Sequence, residues 1–391
     1  MQSEEARTGR AIVEARPVTT VTAIRATPIS IPLEAPYEWS GGHYGGFSRT
    51  IVEIEVSDGA VGLGESPSPD DAALINGVFA PRLIGADPYD LTDCERRCLP
   101  GARSLRSLGD YSALHAFTGI EIALWDVIGK LEGRSISSLL GGRIRDAAPF
   151  TEYFAFRDGL EQSPADVANY CAEMVELHGA VRFEGKVGAR DPATETAMVR
   201  EIRSAVGDEV PVRLDANMAW TTGEARVALR QFEKLGIVSI EEPVATLQEL
   251  ARIRPTTTIG FSTHCANLRE GVALGVPDAF VVHFGMFGGI RRTANFIAAC
   301  AEFGISVWFK SPDAGVATAA QLQLVAAVEE LSEPSQTLLR WHGDEVIAQG
   351  CFVPRAGSVA IPDEPGLGVT LDPDALARCR DRYAQEGNLE S

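Results

Sequence analysis

Short apolar stretches alternate with amphipathic segments over residues 148–345, and this alternation predicts strands that are followed by helices. The seven predicted strands are 148–156, 181–188, 210–220, 238–244, 257–264, 278–284 and 306–311. One intervening helix is predicted to begin at Asp191-Pro192 and to end at Gly207, since proline suits a first turn and glycine a C-terminal cap. Seven such units favour a parallel sheet closed into a barrel, with a last strand near 337–341.

The first part of the chain has a different pattern, which predicts antiparallel strands. Residues 18–65 are predicted to be β structure, because apolar and acidic residues alternate over 50–65 and an Asp-Gly pair there supplies a hairpin turn. The glycine-rich, aromatic segment 37–47 predicts a mobile loop, although a plain surface loop fits its composition equally well. Residues 111–132 are predicted to form a largely buried helix, because this stretch is apolar on most sides.

Composition narrows the classes of protein that this chain can represent. Its 391 residues exceed one ordinary domain, and a net charge of −19 without a basic run argues against nucleic-acid binding. The seven cysteines form no disulfide or zinc framework, which indicates reduced thiols and a cytoplasmic location. The N-terminus lacks the apolar core of a signal peptide and no apolar run could span a bilayer, so no membrane partner is expected. Residues 1–16 are predicted to be a disordered leader.

One ionisable residue lies at the end of each predicted strand from the second to the seventh. These residues are Lys186, Asp215, Glu241, His264, His283 and Lys310. Successive members are about one βα unit apart, so a barrel would place them around one mouth. Catalytic groups of such barrels collect at the C-terminal ends of the strands. The spacing therefore predicts a common site.

Two acidic residues of this set predict a metal site. Asp215 and Glu241 lie on neighbouring strands, and paired carboxylates suit a hard divalent cation such as Mg²⁺, with Asn217 at the same strand end. The alternative is that these acids only cap the helices that follow. For Glu241 that alternative is weak, because Glu242 follows it and two adjacent buried acids need a cation to offset them.

The lysines at these strand ends predict proton transfer. Only four of the 35 Lys and Arg residues are lysine, and two of the four are Lys186 and Lys310. A lysine near a metal-bound carboxylate can remove an α-proton, because the cation and burial lower its pKa, whereas an arginine stays protonated. Lys130 and Lys234 fall on predicted helices, where surface positions explain them.

The chain resembles the enolase superfamily, in its mandelate racemase and muconate-lactonising branch, from about residue 20 to residue 375. The segments that carry the resemblance are 115–142, 181–188, 212–220, 240–243, 287–292 and 361–372. Within the branch, the segments 41–56, 150–156 and 259–264 are most similar to the glucarate-dehydratase group of acid-sugar dehydratases.

This resemblance implies a fold of the α/β class, a modified TIM barrel, (β/α)₇β, with an α+β capping domain formed from N- and C-terminal segments. The barrel would span 147–345 and the capping domain 17–146 and 346–391. Segments 37–47 and 65–72 would form a lid over the substrate. The resemblance also implies Mg²⁺ as cofactor and removal of a proton α to a carboxylate.

Roles for individual residues follow from the same resemblance. Lys186 matches the second lysine of the family's K-x-K motif, whereas Glu184 stands where the first lysine is expected. The implied metal ligands are Asp215, Glu241 and His264. Asn267 is a less favoured third ligand than His264, and the softer imidazole would admit Mn²⁺, Fe²⁺ or Zn²⁺ beside Mg²⁺.

The family's His-Asp dyad is altered in this chain. His283 stands at its aspartate position and Lys310 at its histidine position, so His283 is expected to act in catalysis by adjusting Lys310. If their side chains are close, Glu184 should favour the protonated form of Lys186, which predicts Lys186 as an acid or carboxylate anchor and Lys310 as the base. The residues expected to contact the substrate are Glu184, Asn217, His43 and Tyr44.

The leading hypothesis is a metal-dependent lyase that removes water from a sugar acid or hydroxy acid through an enolate. A racemase or epimerase acting on the same substrates is the alternative, since a lysine on each face could pass a proton across. A non-catalytic descendant that keeps the pocket is a third hypothesis, because three family positions are altered. The expected partners are a small carboxylate substrate and further copies of this chain in a homo-oligomer.

Overall fold

The structure, a computed structural model, describes residues 19–101, 111–310 and 313–390, so the predicted leader lies outside the described residues. The described strands are β1 (Val21–Trp39), β2 (Gly42–Val56), β3 (Val61–Ser66), β4 (Ala147–Pro149), β5 (Glu152–Phe154), β6 (Phe183–Lys186), β7 (Val212–Asp215), β8 (Ser239–Glu241), β9 (Gly260–Thr263), β10 (Ala279–Val282), β11 (Ser306–Phe309) and β12 (Ser358–Ala360). The described α-helices are α1 (Asp71–Leu74), α2 (Ala80–Leu83), α3 (Leu91–Cys98), α4 (Ser112–Glu132), α5 (Ile136–Leu139), α6 (Pro164–His178), α7 (Pro192–Val206), α8 (Thr222–Glu233), α9 (Leu247–Ile253), α10 (Leu268–Leu274), α11 (Ile290–Ala301), α12 (Gly315–Ala327) and α13 (Pro373–Glu386).

The N-terminal sheet is an antiparallel arrangement of β1, β2 and β3, with α4 packed against it. Glycine in β3 allows this close approach, because a Cβ on Gly64 would lie 1.9 Å from the carbonyl oxygen of Gly119. Both the β structure predicted over 18–65 and the buried helix predicted over 111–132 are confirmed.

The second sheet is parallel, with the strand order β11-β10-β9-β8-β7-β6-β5. Ser335 and Gln336 join its two edges: the Ser335 carbonyl accepts the N–H of Thr151 (2.9 Å), the residue before β5, and the Gln336 N–H donates to the Phe309 carbonyl (2.9 Å) of β11. The predicted barrel is therefore confirmed. The prediction of its last strand at 337–341 is wrong, because Leu339–Trp341 form a 3₁₀ helix. The residues that close the barrel, Ser335 and Gln336, come before this stretch.

The C-terminal helix α13 packs against β1, so both ends of the chain contribute to the cap. The predicted fold class, a modified TIM barrel with an α+β cap, is confirmed, while the domain boundaries stay predictions. A hydrophobic cluster that includes Phe47, Tyr153 and Trp341 joins the cap to the barrel. Within the described residues, every helix is too short or too polar to cross a membrane.

The glycine-rich segment 37–47 is the end of a β-hairpin. Strands β1 and β2 stay paired to the tip, with Tyr37 opposite Tyr44. Gly46 serves packing, because a Cβ there would lie 2.7 Å from the carbonyl oxygen of Ile31. The prediction of a loop is therefore wrong: glycine in this stretch allows close approach between strands.

Buried carboxylates of the cap hold it against the barrel. Glu121 on α4 accepts the N–H groups of Ile290 (2.7 Å) and Arg291 (3.0 Å), the first two residues of α11. Glu65 on β3 accepts two backbone N–H groups, at 2.8 Å each, at the start of α12. The first N–H groups of a helix have no acceptor within that helix, and each of these carboxylates supplies one. Each carboxylate also lies at the positive end of the helix dipole.

We expect Glu121→Ala to lower the free energy of unfolding by about 2–4 kcal/mol, because the substitution leaves two helix donors and the Trp125 indole N–H without this acceptor. Chemical denaturation measures the change. Glu176→Ala removes an exposed carboxylate on α6 and should change stability by less than about 0.5 kcal/mol. Equal effects of the two substitutions would show that Glu121 does not anchor the cap.

Candidate active site

A cavity of about 190 Å³ lies between the C-terminal ends of the barrel strands and the tip of the β1–β2 hairpin. Its lining residues are Tyr37, Trp39, Tyr44, Tyr153, Lys186, Asp215, Asn217, His264, Lys310, Gln336 and Glu390. Most of the residues predicted to form the site are therefore brought together, from several strands and from the cap.

Lys186 ends β6 and lies beside Asp215, its register partner on β7. The ammonium group donates to the Asp215 carboxylate and to the side-chain oxygen of Asn217. Burial acts to lower the pKa of Lys186, but the Asp215 carboxylate and two neighbouring tyrosines outweigh burial and hold this pKa well above its ordinary value. Lys186 is therefore a cation that Asp215 stabilises.

Glu184 lies one layer deeper in the barrel and does not line the cavity. Its buried carboxylate contacts the guanidinium of Arg213 (3.3 Å) and accepts from the amide of Gln336 (2.7 Å). The close contact with Lys186 on which the prediction for that lysine depended is replaced by one with Arg213, because residues in register on neighbouring strands meet at the same depth and Arg213 is the register partner of Glu184. This geometry also gives no support to the predicted contact between Glu184 and a substrate.

Glu241 and His264 face each other at the ends of β8 and β9, with 2.9 Å between Oε1 of Glu241 and Nε2 of His264. Nδ1 of His264 lies 3.0 Å from the Val281 carbonyl oxygen, which can only accept, so Nδ1 carries the proton. Burial lowers the pKa of His264, so the imidazole is neutral and its Nε2 presents a lone pair to the carboxylate. Two acceptor atoms at this distance need either a shared proton or a metal ion between them.

The surrounding charge also favours a cation. Asp215 and Glu241 are both buried and are in register on adjacent strands. Burial, and then the charges of Asp215 and Glu184, raise the pKa of Glu241 well above its ordinary value. Among the described residues, no hydrogen-bond donor reaches Oε1 of Glu241. Asp215, Glu241 and His264 together offer oxygen and nitrogen ligands of the kind that a divalent metal ion binds, while the ligand atoms that lie within 4.8 Å of one another at these strand ends belong to Glu241, Glu242 and His264.

Glu242 is a further potential ligand in this cluster. One of its carboxylate oxygens lies within 4.8 Å of ligand atoms of Glu241 and His264. The carboxylate already has partners, however, since Oε1 accepts the His264 N–H (3.1 Å) and the Thr263 hydroxyl (3.2 Å). Glu242 therefore fixes the backbone that carries His264.

Lys310 follows β11 and lines the same cavity, but its surroundings differ from those of Lys186. Burial and the Arg49 guanidinium lower the pKa of Lys310, while Asp313 and Glu390 act in the opposite direction with less effect. The neutral amine is therefore more accessible for Lys310 than for Lys186.

His283 follows β10 and lies outside this cavity. Together with Glu65 and Asp313 it lines a small adjoining cavity of about 10 Å³, and its ring centroid is 6.2 Å from that of His115. Burial and the charge of Lys310 lower the pKa of His283 well below its ordinary value, so the imidazole is neutral. The catalytic role of His283 beside Lys310 stays a prediction.

The two hairpin residues predicted to contact the substrate point in different directions. Tyr44 lines the cavity, and its hydroxyl donates to Glu390 (2.7 Å). The His43 side chain is 58% exposed and contacts Asp158 (3.1 Å), because successive side chains of a strand point to opposite faces. His43 therefore does not line the cavity.

Three lining residues escaped prediction from the sequence: Tyr153, Gln336 and Glu390. Tyr37 and Trp39 also line the cavity, and they belong to the segment 37–47 that was expected to lie over the substrate. Gln336 donates to Glu241, and its position on the segment that closes the barrel is the one indication that could have identified it. Glu390 shows no such indication, because 341 positions separate it from its partner Arg49.

Two family descriptions match this chain. The enolase C-terminal domain-like family matches residues 166–375, and the N-terminal domain of mandelate racemase / muconate lactonizing enzyme matches residues 21–141. The first match covers most of the barrel and continues to residue 375, and the second lies within the N-terminal part of the cap.

The chain is 27% identical to the probable glucarate dehydratase of Streptomyces coelicolor, over 94% of this chain and 92% of that protein. It is 29% identical to the D-galactarolactone cycloisomerase of Agrobacterium fabrum, over 92% and 98% of the two chains. The fold matches an enolase from Pseudomonas fluorescens crystallised with magnesium, potassium and tartrate, with a TM-score of 0.86 at 25% identity over 96% of this chain and 95% of that one. The chain therefore belongs to the enolase superfamily, in its mandelate racemase and muconate-lactonizing branch.

Proposed function

We propose that this protein is a divalent-metal-dependent enzyme that removes the proton α to the carboxylate of a hydroxy acid or sugar acid and then eliminates water. One observation carries the proposal: the amines of Lys186 and Lys310 adjoin the cluster of Asp215, Glu241 and His264. Such a reaction needs a base, an acid and a positive centre within reach of one substrate. Relatives named as a dehydratase and a cycloisomerase support this reaction class.

Asp215, Glu241 and His264 are the residues that would hold the divalent cation, and magnesium is the divalent ion in the Pseudomonas relative. Once bound, the cation stabilises the negative charge that develops on the substrate carboxylate. Lys186 and Asn217, which adjoin Asp215, would orient the substrate by hydrogen bonds to its oxygens.

Lys310 is the proposed base, because burial and Arg49 favour its neutral form. Its amine takes the proton from the α-carbon, and the electrons of the C–H bond move toward the carboxylate. Lys186, as an ammonium group, gives a proton to the hydroxyl on the β-carbon, which leaves as water. The enol that results becomes a 2-keto acid when the α-carbon also carries a hydroxyl.

A racemase or epimerase is the second candidate, and the presence of two amines on one cavity favours it. Lys186 would then return a proton to the α-carbon on the face opposite to Lys310, which inverts the configuration there. The homo-oligomer and the cytoplasmic location stay predictions.

We expect the wild-type protein, with Mg²⁺ and a panel of sugar acids in D₂O, to release a keto acid from at least one acid, and Lys310→Met to lower kcat by about 10²-fold or more. The kcat/KM of the wild type should rise with pH through the pKa of Lys310, because the base must be neutral, and the variant should lack this limb. Lys234→Met removes an exposed lysine at the end of α8 and should leave the rate unchanged.

The same experiment separates the candidates. Recovery of substrate with deuterium at the α-carbon, but without keto acid, would favour the epimerase over the dehydratase. Absence of both product and exchange with every divalent metal tested would contradict both.

We expect Asp215→Ala to weaken Mg²⁺ binding by at least about tenfold, because it removes a buried carboxylate from the cluster. Isothermal titration calorimetry measures the affinity without turnover. Asp208→Ala, which removes an exposed aspartate, is the matched control and should bind Mg²⁺ as the wild type does. Unchanged affinity in Asp215→Ala would place the metal site elsewhere.

We expect His264→Asp to shift metal preference toward Mg²⁺, because a carboxylate is a harder ligand than an imidazole. The ratio of Zn²⁺ to Mg²⁺ affinity should fall by about tenfold in a competition titration. A ratio equal to that of the wild type would show that His264 does not coordinate the metal.

A further inference from the structure

The C-terminal end of the chain returns to the cavity. After α13, residues 387–390 lie across the β1–β2 hairpin, where the Ser30 hydroxyl donates to the Gly387 carbonyl (2.9 Å) and the Leu389 N–H donates to the Ser48 hydroxyl (3.1 Å). The Leu389 side chain fits against Gly46, where an added Cβ would lie 2.7 Å from it. Residues 387–390, the C-terminal tail, therefore pack against the hairpin through both hydrogen bonds and apolar contact.

Glu390, the last described residue, places its carboxylate on the wall of the cavity. Its Oε1 accepts from Nη1 of Arg49 (2.8 Å) and from the Tyr44 hydroxyl (2.7 Å). Arg49 is only 2% exposed and is not among the lining residues. Glu390 thus stands between the Arg49 guanidinium and the space that a substrate would occupy.

Other acids also meet the positive charge of Arg49. Its Nε lies 3.5 Å from Asp313 and 3.9 Å from Glu65. With Glu390, three carboxyl groups surround one guanidinium, so Arg49 retains little attraction for a further anion. The cavity wall formed by the tail is therefore an acceptor that carries negative charge, with the Tyr44 hydroxyl beside it.

We infer that Glu390 is a specificity-determining residue, which makes the cavity select monocarboxylic hydroxy acids over dicarboxylic ones. This inference rests on the proposed function, because it takes the metal cluster to hold the reacting carboxylate. A terminal hydroxyl of the substrate can donate to Glu390, whereas a second carboxylate would meet a like charge in a partly desolvated site.

Matched pairs of acids test the inference, since L-threonate and L-tartrate, like D-gluconate and D-glucarate, differ only at the carbon far from the first carboxylate. Isothermal titration with Mg²⁺ present gives the Kd of each acid. We expect the wild type to bind each monoacid more tightly than its diacid. In Glu390→Gln the preference should shift toward the diacid by about tenfold or more, because the like-charge contact is gone.

A variant truncated after Gly387 should shift the preference further, because it opens Arg49 and Tyr44 to the second carboxylate. Glu386→Gln removes an equal charge from the exposed end of α13 and should keep the wild-type preference. Thermal unfolding checks that each variant is folded. If the truncated variant is not folded, Glu390→Gln alone tests the inference.

Tighter diacid binding by the wild type, an unchanged preference in Glu390→Gln, or no binding of any of the four acids would overturn the inference. These readouts compare binding affinities and do not depend on the formation of product. A shifted preference in a protein that converts none of the acids would contradict the proposed reaction and leave the role of Glu390 standing.

Discussion

The site depends on how the barrel offsets the carboxylates that it buries. Asp215 and Glu241 lie side by side at the strand ends, with Glu184 one layer below. A buried carboxylate without a partner costs several kcal/mol, so each needs its own compensation. The guanidinium of Arg213 offsets the charge of Glu184, but Glu241 faces the lone pair of His264. Local charge balance and family membership thus both support the proposed metal site.

Layering within the barrel explains how this chain departs from its family's K-x-K motif. Glu184 and Lys186 project into the same barrel but at different depths, and each meets its register partner on β7, Arg213 or Asp215. The acid at position 184 is therefore neutralised in its own layer. Glu184 in place of a lysine therefore changes the packing of the barrel interior. Lys186, which lines the cavity, has Asp215 as its own partner.

The sequence allowed good prediction of features that depend on local pattern. Strand positions follow from apolar runs, and a parallel barrel brings the strand ends together, so Lys186, Asp215 and Lys310 could be placed at one cavity from their positions alone. Contacts between distant segments could not be predicted in this way. The closure of the barrel at Ser335 and the position of Glu390 each depend on packing between elements, which the local sequence pattern does not reveal. The glycine-rich composition of 37–47 led to the wrong prediction of a loop, because glycine occurs both in mobile loops and in closely packed strands.

In the proposed enzyme, chemistry and selectivity would be carried by different parts of the chain. The strand ends supply the two amines and the proposed metal ligands, whereas the hairpin and the C-terminal tail supply the wall on the far side of the cavity. Glu121 on α4 and Glu65 on β3 accept hydrogen bonds from the N-terminal ends of α11 and α12, so the cap is held against the barrel by hydrogen bonds as well as by apolar contact. The tail contacts the hairpin of this cap, so in the proposed enzyme a change in the last four described residues would alter the charge that the substrate meets without disturbing the strands that carry the reaction.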